Sequence, residues 1–270
     1  TGCVPSKALI KAARVADTVR RAGQFGIAAT AEGVSFPAVF ARVKAVIGAI
    51  EPHDSAERYA GLGVDVRRGH ARLVDPWTVA VTDPDGQVLR LTARAIVLAT
   101  GAAPFVPPLP GLDQLDYLTS ETLWDAMAAR DRAPDRMAIL GGGPVGCELA
   151  QAFARLGVRV TLVEMAPRLL VREDEEVSAL ARGALEADGV EVLTGHRALA
   201  CGRDGADGWI EVEADGTRRR LGFDDLVVAV GRAARLAGFG LEELGIPTGR
   251  VIETNDWLET LYPNIYAAGD

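Results

Sequence analysis

The sequence is poor in cysteine, with three residues among 270, and these stand far apart at positions 3, 147 and 201. Such spacing argues against a disulfide framework. A reducing, cytoplasmic setting therefore fits best, and in that setting a redox-active cysteine is catalytic rather than structural. The three histidines, His53, His70 and His196, match no catalytic motif, and we predict no metal site.

Long apolar runs and clusters of basic residues are also missing. No apolar stretch approaches the roughly 20 residues that span a bilayer. Lys+Arg 29 against Asp+Glu 37 gives a formal net charge of −8, and the only run of three basic residues is at 218–220. The composition, 49% hydrophobic and 24% charged, is that of a globular protein. Together these features argue against nucleic acid as a partner.

Two segments of the chain, residues 77–103 (copy 1) and 209–234 (copy 2), share one order of elements. Each has an alternating strand, an Asp-Gly turn that signals a hairpin, a second strand, and a continuous apolar strand ending in glycine. In each copy 15 positions separate the turn glycine from the closing glycine, from Gly86 to Gly101 and from Gly216 to Gly231. We interpret the segments as two copies of one nucleotide-binding design.

A glycine fingerprint of the form G-x-G-x-x-G lies between the copies. A strand is predicted at 136–140, followed by Gly141, Gly143 and Gly146 and then by helical spacing of apolar residues. Gly141 permits the tight turn, Gly143 lets the backbone approach a pyrophosphate, and Gly146 lets helix and strand pack closely. The helix N-terminus offers free N–H groups to the phosphates. The pattern predicts a dinucleotide site.

Glu164 lies at the end of the next predicted strand, 21 residues after Gly143. A carboxylate there accepts hydrogen bonds from an adenosine ribose diol and repels a 2′-phosphate. Arg168 is the one feature that points the other way. The sequence therefore favours NAD(H) over NADP(H).

Four motifs in separate regions resemble the flavoprotein disulfide reductases, the class I pyridine nucleotide-disulfide oxidoreductases that include dihydrolipoamide dehydrogenase, glutathione reductase and mercuric reductase. The segment TGCVPSK resembles the end of the redox motif C-x-x-x-x-C-x-P-x-K, and IVLATGAAP resembles the strand that closes the first flavin segment. GGGPVGCE resembles the pyridine-nucleotide motif, and TLYPNIYAAGD the second flavin motif. These motifs occupy residues 1–7, 96–104, 141–148 and 260–270.

The resemblance implies roles for individual residues. Cys3 would be the thiol next to the flavin, and Lys7, paired with Glu148, would point at the flavin ring. The FAD contacts that it implies are Lys7, Ala71, Thr100, Gly101 and Asp270. The NAD contacts that it implies are Gly141, Gly143, Pro144, Val145, Gly146, Glu164 and Gly231. Pro144 stands where some members carry an aromatic gate over the nicotinamide site.

The resemblance also implies an α/β fold with two Rossmann-like FAD/NAD(P)-binding domains, each with a central parallel sheet and an antiparallel β-hairpin layer. We expect an FAD-binding domain at 1–117, an NAD(P)-binding domain at 118–235 and a return to the FAD domain at 236–270. We further expect the chain to begin part-way through its first domain and to end before the family's C-terminal dimerisation domain. The partner cysteine, five positions before Cys3, and the family's general-base histidine would then lie outside it.

The function implied is that of an FAD-dependent NAD(P)H:disulfide oxidoreductase similar to dihydrolipoamide dehydrogenase. Its partner would be a small-molecule or protein-bound disulfide or dithiol, and the full-length protein would be a homodimer. Three alternatives stay open: a mercuric reductase-like metal-ion reductase, a transhydrogenase-type relative that does not need the disulfide, and a nucleotide-binding module without turnover.

Overall fold

A computed structural model describes residues 2–30 and 33–269 of the chain. The helices are α1 (Cys3–Arg20), α2 (Phe36–Ile50), α3 (Ala56–Gly61), α4 (Leu123–Ala128), α5 (Pro144–Arg155) and α6 (Glu175–Ala187). The first seven strands are β1 (His70–Asp75), β2 (Thr78–Thr82), β3 (Val88–Thr92), β4 (Ile96–Leu98), β5 (Ala102–Pro104), β6 (Arg136–Leu140) and β7 (Arg159–Val163). The others are β8 (Glu191–Leu193), β9 (Arg197–Asp204), β10 (Asp207–Ala214), β11 (Thr217–Phe223), β12 (Asp225–Val228), β13 (Arg232–Ala234) and β14 (Ile265–Ala267).

The chain divides into two compact units. The large unit comprises residues 1–51 and 104–231, and the small unit comprises 52–103 and 232–270. These limits differ from the predicted domain boundaries, because α1 and α2 bury their apolar faces against α4 and α5 and so belong to the large unit. The boundaries at 117 and 235 stay a prediction about the domains of the protein.

A four-stranded parallel sheet, in the order β12-β6-β7-β8, lies at the centre of the large unit. Its strands are short apolar runs, and all four residues of β12 are buried, as is typical of a parallel sheet covered on both faces. The helix α5 connects β6 to β7, which pair in register from Arg136↔Arg159 to Leu140↔Val163. The predicted strand and the predicted crossover helix are therefore both present.

An antiparallel layer, β11-β10-β9, covers one face of this sheet. Residues Ile210, Val212, Leu221 and Phe223 of this layer pack with Leu140 and other apolar residues of the sheet. The hairpin between β10 and β11 turns at Asp215 and Gly216, with φ of +50° and +74°. Positive φ at both central residues is the signature of the two-residue hairpin turn, as predicted for copy 2.

The helices α1 and α2 pack with α5 in the second core of the large unit. The rings of Phe36 and Phe40 lie 4.7 Å apart, and each is 6.4 Å from the ring of Phe153 on α5. Leu9 of α1 is fully buried in the same core. This contact fixes α1 against the helix that follows the glycine loop.

The small unit repeats the plan with fewer strands. It has an antiparallel sheet, β1-β2-β3, and a parallel pair, β14-β4, with Ile265 opposite Ile96. Its core contains Leu73, Ile96, Leu98, Leu241, Ile246 and Ile265. The predicted α/β class is confirmed, and each antiparallel layer has three strands rather than a hairpin of two.

Cys201 lies inside β9, and the polar stretch that follows it leads into a hairpin that turns at Gly205 with φ +65°. His53 does not lie in an α-helix. The helix α2 ends at Ile50 and a 3₁₀ turn takes up residues 51–54. Across the described residues no helix is both long and apolar enough to cross a membrane.

Candidate functional site

The first two turns of α1 carry two of the residues expected to be catalytic. Gly2 is the N-cap, Cys3 is the first residue of the helix, and Pro5 is accommodated because it lies in the first turn. Cys3 is a free, exposed thiol. Lys7 stands four positions after Cys3, so both side chains project from one face of α1.

The structure brings Lys7 and Glu148 together. The Nζ atom of Lys7 donates to both Oε1 and Oε2 of Glu148, at 2.7 Å each. The side chains are 60% and 40% exposed, so the pair lies at an open surface. It borders a groove of about 290 Å³ between α1 and α5, which Ile10, Gln151 and Arg155 also line. A lysine held on both carboxylate oxygens has a defined position.

The three fingerprint glycines differ in what surrounds them. Gly141 has φ +107°, and a Cβ there would lie 2.4 Å from the carbonyl oxygen of Ala229. A Cβ on Gly146 would lie 1.8 Å from the carbonyl oxygen of Gly141. A Cβ on Gly143 would meet no atom within 4 Å among the described residues. Gly141 and Gly146 therefore close the loop, whereas Gly143 leaves its outer side open.

Glu164 follows β7 directly and is tied to the loop by both oxygens. Its Oε2 accepts from the N–H of Gly142 at 2.6 Å, and its Oε1 accepts from the N–H of Ala166 at 2.6 Å. Each carboxylate oxygen has a second acceptor position, so the group can still accept from a ligand hydroxyl. Sequence reasoning missed Gly142, where a Cβ would lie 2.9 Å from the Cβ of Glu164. The sequence signal for it is the run of three consecutive glycines at 141–143.

Arg168 does not point away from the chain as a free cation. Its guanidinium donates to the carbonyl oxygens of Leu170, Val171 and Glu173, at 3.3, 3.0 and 2.8 Å. It therefore organises the loop after Glu164. Leu170 in this loop has a positive φ of +48°, a conformation that needs such support in a residue with a side chain.

The other predicted NAD contacts lie in the large unit. Pro144 is the first residue of α5, where its ring matches helical φ. Val145 follows it and is 41% exposed. Gly231 has φ +129°, and its carbonyl oxygen accepts from the N–H of Phe105 at 2.9 Å. The first-turn N–H groups of α5 have no intrahelical acceptor, as in any α-helix.

The two other thiols are held as neutral groups. Burial, then the charges of Glu164 and Glu148, raises the pKa of Cys147 to about 11. Burial, then the charge of Asp113, raises the pKa of Cys201 to about 11. The Sγ of Cys147 donates to the carbonyl oxygen of Gly142 at 3.4 Å. Neither thiol has the environment of a reactive cysteine.

The predicted FAD contacts Ala71, Thr100 and Gly101 lie in the small unit, and Asp270 lies outside the described residues. Ala71 is an exposed residue of β1. Thr100 donates its hydroxyl to the carbonyl oxygen of Arg235 at 3.0 Å, and Gly101 has φ +65°. A Cβ on Gly101 would meet no described atom within 4 Å. Its backbone is therefore open to a ligand.

In the described part of the chain, the hydrogen bonds of the three histidines involve backbone carbonyl oxygens and not the side chain of a catalytic partner. The Nε2 atom of His70 lies 2.8 Å from the carbonyl oxygen of Gly238, and the Nδ1 atom of His196 lies 2.8 Å from that of Thr194. His53 accepts from the side chain of Arg58 through its backbone oxygen. Among residues 2–30 and 33–269, no group of three or more His, Cys, Asp and Glu side chains could hold a metal ion.

Comparisons with known proteins agree with this arrangement. The family model described as pyridine nucleotide-disulphide oxidoreductase matches residues 1–270. A mercuric reductase of Streptomyces lividans is 36% identical over 272 residues, which cover 100% of this chain and 56% of that protein. A dihydrolipoyl dehydrogenase of Thermus scotoductus is 34% identical over 282 residues, covering 100% and 57%.

The crystal structure of LpdA from Mycobacterium tuberculosis is similar to this fold, with a TM-score of 0.85 and 30% identity. The match covers 99% of this chain and 57% of that one. The predicted resemblance is confirmed. The chain spans about half the length of the curated relatives that it matches.

Proposed function

Because the chain belongs to the pyridine nucleotide-disulphide oxidoreductases, we propose that its protein is an FAD-dependent NAD(P)H:disulfide oxidoreductase similar to dihydrolipoamide dehydrogenase. The observation that carries the proposal is the contact of Lys7 with both oxygens of Glu148, one helical turn after the exposed Cys3. A thiol, a fixed ammonium and a nucleotide loop are the groups that such a reaction needs.

The loop between β6 and α5 is the proposed NAD site. The open side of Gly143 and the free N–H groups at the start of α5 suit a pyrophosphate. Gly141 and Gly146 hold the loop in the shape that exposes those groups. Val145 and Gly231 are proposed as further contacts, and Pro144 as the residue that leaves the nicotinamide side less gated than an aromatic residue would.

We propose that the site prefers NADH to NADPH. Glu164 keeps a free acceptor position on each oxygen for a ribose hydroxyl, and its negative charge opposes a 2′-phosphate. Arg168, the residue that favoured the phosphate, spends three of its donors on loop carbonyls. The proposed preference for NADH therefore depends on the carboxylate of Glu164 and on the hydrogen bonds that hold the guanidinium of Arg168 within its own loop.

Cys3 and Lys7 are proposed as groups that act beside the flavin. FAD, when bound, supplies the two-electron chemistry that links a nicotinamide to a disulfide. Lys7, oriented by Glu148, would stabilise negative charge near it. Cys3, in a disulfide with the cysteine five positions before it, would take up the two electrons that NADH supplies, and that partner cysteine would then exchange with the substrate disulfide as a thiolate. The open backbone at Gly101 fits a closely approaching cofactor, and Ala71, Thr100 and Asp270 are proposed as additional FAD contacts.

A mercuric ion reductase is the second candidate, because the Streptomyces lividans relative, 36% identical, bears that name. Both candidates share the steps at Cys3 and differ in the final acceptor, a disulfide or dithiol in one case and a metal ion in the other. We further propose a cytoplasmic location and, for the full-length protein, a homodimer.

The proposal is tested with protein expressed from the whole reading frame. Anaerobic titration with NADH should bleach a flavin spectrum and produce the long-wavelength band of a thiolate next to a flavin. Cys3→Ser should abolish that band while leaving NADH binding unchanged, and Glu164→Ala should weaken NADH binding. Turnover with lipoamide against Hg(II) then decides between the two candidates.

A colourless protein that stays unchanged on addition of NADH would leave only the nucleotide-binding module. A bleached flavin with no Cys3-dependent band would favour the transhydrogenase-type alternative.

A further inference from the structure

Three helices of the large unit end at one place. Arg20 and Arg21 lie at the C-terminus of α1, Arg155 is the last residue of α5, and Asp188 is the C-cap of α6. The carbonyl groups of a helix C-terminus carry partial negative charge, so arginine suits these positions. One arginine uses this directly, since Arg20 donates from Nη2 to the carbonyl oxygen of Arg155 at 2.8 Å.

Asp188 is the exception at this junction, because a carboxylate is unfavourable at a helix C-terminus. Its side chain is only 3% exposed. Oδ1 accepts from Nη2 of Arg21 at 2.7 Å, and Oδ2 accepts from Arg155 (Nε 3.0 Å, Nη2 2.9 Å) and from Nε2 of Gln151 at 2.7 Å. Two guanidinium groups and an amide therefore compensate a carboxylate that α6 alone would disfavour.

Asp17 completes the junction from α1. Its Oδ1 atom accepts from Nε of Arg21 at 2.9 Å, and its side chain is 15% exposed. Arg21 is thus held between Asp17 on its own helix and Asp188 on α6. Arg21 itself is 44% exposed, but Asp188 is nearly fully buried, so removing one of its partners leaves a buried charge less well compensated.

The junction is connected to the Lys7–Glu148 pair through two helices. Gln151 and Arg155 are three and seven positions after Glu148 on α5, and all three line the groove that Lys7 also lines. On α1, Arg21 follows the last turn of the same helix that begins with Cys3 and Lys7. Asp188 therefore contacts residues of α5 and the residue that caps α1.

We propose that Asp188 is a positioning residue for the Lys7–Glu148 pair: by joining the C-termini of α1, α5 and α6, it fixes the register at which Lys7 meets Glu148. The interpretation of that pair as functional rests on the proposed function, but the geometric coupling does not.

The test is a double-mutant cycle on this chain, read by alkylation of Cys3 with iodoacetamide and intact-mass analysis. Glu148→Gln leaves the charge of Lys7 uncompensated one turn from Cys3, which favours the thiolate and should raise the alkylation rate about threefold. If Asp188 sets the register, Asp188→Asn should reduce that response to less than about 1.2-fold, a coupling at the lower end of the range found for residues of one network.

Glu186→Gln is the matched control. Glu186 lies on α6 and makes an exposed ion pair with Arg182 at 2.8 Å, so its loss should leave the threefold response intact. Alkylation of the buried Cys201 reports unfolding separately. An undiminished response to Glu148→Gln in a folded Asp188→Asn protein overturns the proposal.

If Asp188→Asn does not fold, Arg21→Gln decides. It breaks the link between α1 and α6 but keeps the contacts of Asp188 with Arg155 and Gln151. A reduced response supports the proposal and an unchanged one overturns it. Because no flavin or dinucleotide is present in the assay, failure of the proposed function would leave this result unaffected.

Discussion

Val97 and Val227 occupy the same place in the two copies, 11 positions after the turn glycine, yet their environments are opposite. Val97 is 62% exposed and Val227 is fully buried at 0%. Their neighbours are alike in both strands, since Ile96 and Leu98 in copy 1 and Leu226 and Val228 in copy 2 are all buried. The copies therefore share the inner face of this strand and differ at the outer face.

The difference follows from the neighbours of each strand. In copy 2, β12 pairs with β6 in a four-stranded sheet, and Val227 packs in the core that contains α1, α2 and α5. In copy 1, β4 pairs with β14, and the core of the small unit covers only the side of Ile96 and Leu98. An apolar run thus indicates that a strand can be covered on both faces and does not say that it is.

The antiparallel layers show the same contrast. Leu221 and Leu91 each stand five positions after the turn glycine, and they are 5% and 38% exposed. The connecting loops also differ. Copy 2 has a two-residue turn between Ala214 and Thr217, whereas in copy 1 five residues separate Thr82 from Val88. Asp83 organises this longer loop by accepting from the N–H groups of residues 85 and 87.

The largest effect on stability is expected when one glycine in each nucleotide-binding design is replaced by alanine. Gly146→Ala should lower the free energy of unfolding by about 3–5 kcal/mol, because its Cβ would meet the Gly141 carbonyl oxygen. Gly101→Ala in copy 1 should cost about 1 kcal/mol from its positive φ alone. Urea denaturation of both variants checks this, and equal costs would contradict the contrast.

The second prediction compares the equivalent leucines of the antiparallel layers. Leu221→Ala should cost about 3 kcal/mol through the cavity that it leaves. Leu91→Ala should cost less than about 1 kcal/mol, since its side chain is partly solvated already. The free energies of unfolding of the two variants provide the measurement, each being the control of the other. If Leu91→Ala lowers the free energy of unfolding as much as Leu221→Ala does, the antiparallel layer of copy 1 is covered by other residues.

The third prediction concerns the valines. Val227→Ala should cost about 2 kcal/mol, from lost apolar burial and a small cavity. Val97→Ala should change stability by less than about 0.5 kcal/mol, as at other exposed positions. Thermal unfolding of both variants tests the pair. If the two substitutions have the same effect, the outer faces of β4 and β12 are not different.

The smallest effect comes from pH. All three cysteines lie in the large unit, and the pKa of both Cys147 and Cys201 is raised from 9.0 to about 11. A raised folded-state pKa gives stability that is complete well below about pH 9 and is lost as the pH rises through about 11. Wild-type protein, kept reduced, should therefore lose slightly more unfolding free energy between pH 8 and pH 9 than a Cys147→Ala, Cys201→Ala variant. Equal losses would show that neither thiol is shielded.

Much of the nucleotide loop was predictable, because its requirements are local. The strand, the glycine spacing and the position of Glu164 follow from the backbone geometry of one turn. What Glu164 and Arg168 contact was not predictable. Arg168 was interpreted as a cation available to a phosphate, but its donors are used by carbonyl groups of its own loop. Nothing in residue type or spacing distinguishes these two uses.

The motifs alone determined the family, the α/β class and the order of elements in both copies, since each depends on short-range spacing of glycines, turns and apolar runs. Tertiary structure alone decided that Val227 is buried and Val97 exposed, that residues 1–51 pack with the large unit, and that Asp188 joins three helix ends. Those features depend on which surfaces, distant in the chain, cover one another. Hydrophobic burial and charge compensation are set by that covering, and a local pattern carries no record of it.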